Sequence, residues 1–292
     1  MSIVTPRRHV ARRRRMKLLT TGLLGVFLIY TFLPIFYLFV ASTKDDRRLF
    51  SSFGLWFASP FHLFANLESL FTFQHGVFSR WLFNTALYAV TTSVGAALIC
   101  CVAGYAFAKF LFPGRQSLFG IILGSVMVPR TALVIPIFLL LSKIGLVDTP
   151  LAVILPSLVF PLGVYLARVY AEQGVPDELL DAARIDGAGE TRIFFRIALP
   201  IMQPAFVTVL LLSFVVTWNN YFLPLVVLSS PKYFPITVGL ASWFQQASAG
   251  SGGQALFSLV VTGALVSVVP VALVFISLQS YWRGDLGDGA VK

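Results

Sequence analysis

The chain reads as an all-α, polytopic membrane protein with six transmembrane helices, and three observations lead there. It is 57% hydrophobic, with a mean hydropathy of +0.84. Only 12% of its residues are charged, against about a quarter in a soluble domain of ordinary composition. Its apolar residues gather into runs at 18–41, 81–108, 116–142, 149–167, 201–228 and 256–282. A bilayer-crossing helix needs about 20 such residues.

The basic tail 1–17 holds seven of the 22 Lys and Arg residues, directly before the first run. That placement suits topology control and attraction to anionic lipid. The net charge of +10 therefore points to the membrane and not to nucleic acid. A cleaved signal peptide would have an apolar region of about 7–15 residues. The run 18–41 has 24 residues without a charge, so it is read as an uncleaved first helix. The loop 43–80 is rich in Phe and Trp, which settle at membrane interfaces. Lipid contact, self-packing and a partner-docking surface all fit it. Cys100 and Cys101 lie inside the second run and read as small buried residues. The third run contains one charge, Arg130, after Pro129. The last two runs are divided by Pro231, Pro235 and the Ser/Gly-rich stretch 248–253. A short tail, 283–292, closes the chain.

Orientation follows from the Lys and Arg residues of alternate loops. With the N-terminus inside, the cytoplasmic segments carry seven in the tail, two at 109–115, four at 168–196 and two after 282, fifteen in all. The outer loops carry six: Lys44, Arg47, Arg48, Arg80, Lys143 and Lys232. Both termini are accordingly expected in the cytoplasm.

The loop 172–200 is the chain's charged island. Six of its twelve acidic residues fall within 172–190: Glu172, Asp177, Glu178, Asp181, Asp186 and Glu190. Pro176 suits a helix start, where its missing N–H costs nothing, and the acids after it complement the helix dipole. Gly187 and Gly189 offer the permissive backbone that ends such a helix. Leu179, Ala182, Ala183 and Asp186 share a face by 3–4 spacing. A second helical piece is expected over 191–199, with Pro200 terminating it. The pattern is a helix–turn–helix hook. An amphipathic loop lying on lipid would prefer a basic polar face, so the acids favour protein contact.

Catalytic constellations are scarce. The three histidines, His9, His62 and His75, are scattered, and no HExxH, CxxC, GxSxG or Walker A pattern occurs. An integral-membrane enzyme would need clustered His or acids. A secondary transporter would call for an internal repeat and intramembrane acids, whereas no run contains Asp or Glu.

The hook carries a specific resemblance. Asp181-Ala182-Ala183-x-x-Asp186-Gly187-Ala188, followed by Phe195-x-Ile197-x-Leu199-Pro200-x-x-x-Pro204, resembles the EAA motif of ABC-importer permeases. Further matches lie at Pro136 with residues 143–149, at Phe214-x-x-x-Trp218-Asn219-Asn220-Tyr221-x-x-Pro224-Leu225, and at 236–242. Ser59-Pro60-Phe61-x-x-x-x-Asn66-Leu67 is a looser match. Together these are similar to the carbohydrate-uptake branch, specifically the second, maltose-type permease.

The resemblance implies a type I ABC importer permease fold in a bacterial cytoplasmic membrane. It implies transport of a sugar by alternating access, with a glycerol-phosphate ester or a non-sugar osmolyte as the alternative solute. The implied partners are a second homologous permease, two cytoplasmic ATPase subunits and an extracytoplasmic solute-binding protein. ATP and Mg would sit on the ATPase, with no cofactor on this chain. Asp181, Ala182, Ala183, Arg184, Asp186, Gly187 and Ala188 would form the coupling helix. One departure is Asp181, where the family usually places Glu, which shortens the acid's reach by one methylene.

Within the runs, Asn84, Asn219, Asn220 and Tyr221 suit a hydroxyl-rich solute, because amides and phenols can replace water around sugar hydroxyls. Trp218-Asn219 serves helix packing equally well. Arg130 has three readings: lining the pathway, pairing with another helix, or snorkelling.

Overall fold

The apolar runs fold as helices, and what shapes them is where proline interrupts. The computed structural model describes residues 7–249 and 256–279, with side chains from residue 16 onward. Every regular element among them is helical. In chain order these are α1 (Arg7–Ser42), α2 (Asp46–Ser51), α3 (Leu63–Lys109), α4 (Arg115–Ser125), a 3₁₀ turn at Arg130–Leu133, and α5 (Val134–Lys143). There follow α6 (Pro150–Ser157), α7 (Pro161–Gly174), α8 (Asp177–Ile185), α9 (Glu190–Ile193), a π turn at Phe194–Ala198 and α10 (Leu199–Ile201). The remainder are α11 (Gln203–Trp218), α12 (Phe222–Val227), α13 (Ile236–Ser248) and α14 (Leu256–Leu278). The tails 1–6 and 283–292, and residues 280–282 of the last expected run, lie outside the described residues.

Three helices are each long and apolar enough to cross a membrane: Met16–Ser42, α3 and α14. The other three runs are bent pairs, and counting each pair as one span gives six. The third run breaks between α4 and Arg130–Lys143 at 98°, where Pro129 takes an extended conformation, ψ 123°. The fourth bends by 42° between α6 and α7. There Phe160, forced out of the helical region by Pro161, adopts φ −129° and ψ 78°. The fifth is entered through Glu190–Ile201, which meets α11 at 79°, two residues before Pro204.

The described residues divide into two units. The first takes 7–70 with 243–249 and 256–266. In it the end of α1 is buried at Val40, Ala41, Ser42, Thr43 and Lys44. Asn66 Nδ2 donates to the carbonyls of Ser42 and Lys44, at 2.8 and 2.9 Å. Lys44 Nζ donates to the Phe53 carbonyl at 2.7 Å. Asp46 accepts from the Ser258 N–H at 2.6 Å, which fastens α2 to the start of α14. The loop 43–80 is thus built of α2 and the first part of α3. Its aromatic rings meet edge-on, Phe57 against Phe36, Phe39 and Trp56, while Phe50, Phe53, Trp56 and Phe64 also remain exposed.

The second unit takes 71–242 with 267–279. It begins at a break in α3, where Gln74, His75 and Gly76 all have positive φ. From 77 onward α3 is a continuous helix, and small residues let its neighbours come close. A Cβ on Gly104 would lie 2.6 Å from the Cβ of Ala167, and one on Gly163 2.7 Å from Cys100 Sγ. Ala96, Ala97, Cys100, Phe160, Val164 and Val209 form the resulting core of α3, α7 and α11. Cys100 and Cys101 are both buried and free. A second core joins Tyr88 to Val134, Leu141, Ala152, Val153, Leu223 and Val227.

Candidate functional site

The charged island folds as the expected hook, with its turn set by one glycine. α8 runs Asp177–Ile185 with Pro176 as its cap residue, φ −67° and ψ 134°. Asp177 and Glu178 occupy its first turn. At the other end Gly187 takes φ +78°. The Gly187 N–H donates to the Arg184 carbonyl (3.0 Å) and the Ala188 N–H to that of Ala183 (2.9 Å). This is the Schellman pairing, which satisfies carbonyls that a helix end otherwise leaves open. Gly189 differs from expectation. Its φ is −72° and it caps α9, a conformation that any residue can adopt.

The second piece also departs from its expected end. It starts at Glu190 and does not stop at Pro200. The Leu199 N–H reaches back to the Phe194 carbonyl, a five-residue step. This π turn absorbs the proline's missing donor, and the helix continues to Ile201 before turning at Met202.

The hook is rooted in the bundle by an apolar core. Leu180, Ile193, Phe194, Ala198 and Met202 pack with Cys101 and Tyr105 of α3 and with Ala167, Ala171 and Val175. Lys109, at the end of α3, donates from Nζ to the Val175 carbonyl (2.6 Å) and to Asp177 Oδ1 (2.8 Å). Glu172 pairs with Arg168 at 2.8 Å and with Arg115 at 3.5 Å. The Arg168 guanidinium stands 4.0 Å over the Phe119 ring.

The expected hook residues sort into two faces. Ala183 and Ala188 turn inward onto the core, so Ala183 does not share the outward face with Leu179. Asp181, Ala182, Arg184, Asp186 and Gly187 are exposed. Asp181 is already paired, because Arg184 Nη1 donates to its Oδ1 at 2.8 Å. Arg184 also forks Glu190, Nε to Oε1 at 2.8 Å and Nη2 to Oε2 at 3.4 Å. These hydrogen bonds, to Glu190 first and then Asp181, raise the guanidinium's pKa above its ordinary value. Sequence reasoning missed Ile185, 87% exposed at the tip of α8, although it stands three residues beyond Ala182. Glu190 was counted only as an acid. The Lys109–Asp177 pair, 68 residues apart, left no sequence signal.

The expected pathway residues each have local partners. Asn84 is buried, and its Nδ2 donates to the carbonyls of Lys232 and Phe234 (2.9 and 3.0 Å). It belongs to a grip on the segment 229–236. On the same face of α3, Trp81 Nε1 donates to Pro231 O (3.0 Å) and the Tyr88 hydroxyl to Tyr233 O (2.9 Å). Thr85 Oγ1 accepts from the Ile236 N–H (2.8 Å). From the facing loop, Asp148 Oδ1 accepts from the backbone N–H groups of Ser229 and Ser230, and its Oδ2 from the Ser230 hydroxyl. Those Ser230 hydrogen bonds hold the Asp148 carboxyl below the usual range. Asn219 Nδ2 donates to Val215 O in its own helix (2.8 Å). The Asn220 carbonyl accepts from Thr237 Oγ1 (2.8 Å), and Tyr221 is half-buried. Arg130 is exposed at the break after α4, its guanidinium 5.5 Å from the centre of the Phe160 ring.

Comparison with known proteins adds three kinds of finding. Residues 101–282 match the family described as binding-protein-dependent transport system inner membrane component. An arabinooligosaccharides transport system permease protein of Halalkalibacterium halodurans is 35% identical, covering 94% of this chain and 96% of its own. A lactose transport system permease protein of Rhizobium radiobacter is 30% identical over 95% and 97%. An sn-glycerol-3-phosphate transport system permease protein of Yersinia enterocolitica is 27% identical over 91% and 93%. A solved bacterial ABC transporter involved in import of the acidic polysaccharide alginate superposes with a TM-score of 0.77 at 22% identity, covering 96% of this chain and 99% of that one.

Proposed function

Because the chain belongs to the family of binding-protein-dependent transport system inner membrane components, we propose that its hook is the seat of a separate ATPase and that its spans carry a saccharide across the membrane. The chain is an importer permease of type I fold. The reading of its solute as a sugar is supported by relatives named for arabinooligosaccharides and lactose transport. The sn-glycerol-3-phosphate relative supports a phosphate ester as the second reading.

One observation carries the coupling role. α8 is fastened to the bundle through Leu180 and Ala183, yet it presents Leu179, Ala182, Ile185 and Asp186 to solvent. An exposed apolar ridge on a rigidly rooted helix is a docking element, since displacing it moves its root. The ATPase would hold ATP and Mg, and closing of its dimer would draw the hook. This permease and a second homologous one would then rock between inward-open and outward-open forms, with a binding protein delivering solute from outside. The charge count supports a cytoplasmic hook and cytoplasmic termini, and the family's inner-membrane description supports a bacterial cell. Asp181 is expected to act through Arg184 as well as directly, because that pair is already formed.

The test is reconstitution with an ATPase, a second permease and a binding protein of the same importer. Wild type should show solute-stimulated ATP hydrolysis. Asp181→Lys and Gly187→Pro should insert normally and lose that stimulation. Full stimulation in both variants would overturn the hook's role.

A further inference from the structure

Arg130 makes no hydrogen bond or ion pair with any described residue, and its guanidinium stands 5.5 Å from the centre of the Phe160 ring. The chain's acids lie at 45–46, 68, 148, 172–190 and 285–288, so none falls within the six apolar runs. Arg130 stands 15 residues beyond Arg115, which pairs at the hook end through Glu172, and 13 before Lys143 at the far end of α5. It thus stands at the middle of its run, at the 98° break, at a depth between those two charged ends. The backbone around it is irregular, and Val126, Met127 and Val128 are exposed with it. Non-helical backbone at that depth cannot face lipid, and persists only where protein covers it or where it lines a watery cavity. In secondary transporters, too, broken spans are where solute sites are built. Phe160 marks the break in the neighbouring span, so two joints meet at the guanidinium.

We propose that Arg130 contacts the solute midway along the passage and selects an acidic saccharide or sugar phosphate. The proposal rests on the importer reading above. A guanidinium in a wet passage draws anions and forks a carboxylate or phosphate with two parallel hydrogen bonds. The Phe160 face pre-orients it. A neutral sugar could accept single hydrogen bonds from the guanidinium, but only an anion adds the charge-assisted fork.

The test uses the whole importer in proteoliposomes. In a background of Cys100→Ala and Cys101→Ala, Arg130→Cys should react with a membrane-impermeant, negatively charged thiosulfonate. An unreactive thiol overturns the pathway position and indicates burial against the second permease. In parallel, its binding protein is screened by thermal shift with oligogalacturonate, sn-glycerol 3-phosphate, arabinotriose and lactose. An acidic hit is expected, with Arg130→Gln raising the KM for its uptake at least tenfold and Arg130→Lys recovering part of the loss. Co-purification of the ATPase checks that each variant assembles. A panel without an acidic hit, or an unchanged KM in Arg130→Gln, overturns the charge selection. Failure of wild type to assemble with the ATPase would instead refute the importer reading.

Discussion

Replacing Gly187 with alanine separates the backbone's role in the hook from every contact around it. Gly187 sits at φ +78°, and a Cβ there would meet nothing within 4 Å, so no clash contributes. The left-handed conformation alone costs an L-residue roughly 1–2 kcal/mol, a factor of about 5–30 in the ratio of ordered to disordered turn. The ATPase binds only the ordered turn on this reading, so its apparent Kd should rise by no more than that factor. Gly189→Ser is the control. Its φ of −72° is ordinary, and serine is a better cap than glycine. Titrating the purified ATPase against each permease complex in nanodiscs, with ATP hydrolysis as readout, gives both values. The expected order is Gly187→Ala weakened severalfold and Gly189→Ser at or above wild type. Equal behaviour of the two variants would refute the Schellman turn as the feature that presents α8.

Other outcomes follow from the same geometry. Asn84→Leu strips two donors from the Lys232 and Phe234 carbonyls and should cost about 1–3 kcal/mol; thermal unfolding should register it while the KM for solute stays constant. Gly104→Ala drives a Cβ to within 2.6 Å of Ala167 Cβ and Arg168 N, and overpacking of this kind costs about 1–3 kcal/mol, visible as a lowered Tm. Asp148 has a depressed carboxyl pKa, so its contribution is present above the ordinary carboxylate range and is lost as pH falls through the folded value. Asp148→Asn tolerates the positive φ of 59° and should flatten that acid dependence in a pH series of melts.

The fold was legible where hydrophobic length alone decides, and less so where proline acts on a long apolar run. Composition and run length sufficed for α1 and α14, because a helix in lipid must satisfy its own backbone. Pro129, Pro161 and Pro204 were visible, but a sequence does not say whether a proline kinks a span gently or turns it by 98°. That depends on which neighbours satisfy the freed groups. Pro200 shows the converse, since a π turn let the helix pass it. In the hook, Gly187 and the acidic first turn were readable because capping chemistry is local. The inward turn of Ala183, the Arg184–Glu190 fork and the Lys109–Asp177 pair were not, because each depends on where α3 and α9 lie in space. The partners of Asn84 were hidden for a related reason. An amide in a span is costly, and the sequence could not show that the carbonyls of Lys232 and Phe234 already occupy it.

The arrangement of straight and broken spans bears on how a pull on the hook would travel. α3 is continuous from residue 77 to Lys109, about 50 Å at 1.5 Å per residue. Near its end it packs Cys101 and Tyr105 into the hook's core and clamps Val175 and Asp177 through Lys109. Near its start Trp81, Asn84, Thr85 and Tyr88 grip the segment 231–236. Gly239 lies flat against the Trp81 indole, where a Cβ would fall 2.2 Å from the ring. Gripped at both ends, α3 can act as a rod, while the bends of 98°, 42° and 79° beside it can act as joints. Drawing the hook toward an ATPase, as proposed, would then swing the far segment with it. The joints between α4 and α5 and between α6 and α7, where Arg130 and Phe160 stand, would take up the difference. A solute held at Arg130 would sit at the joint itself, where a change of angle decides to which side a passage opens.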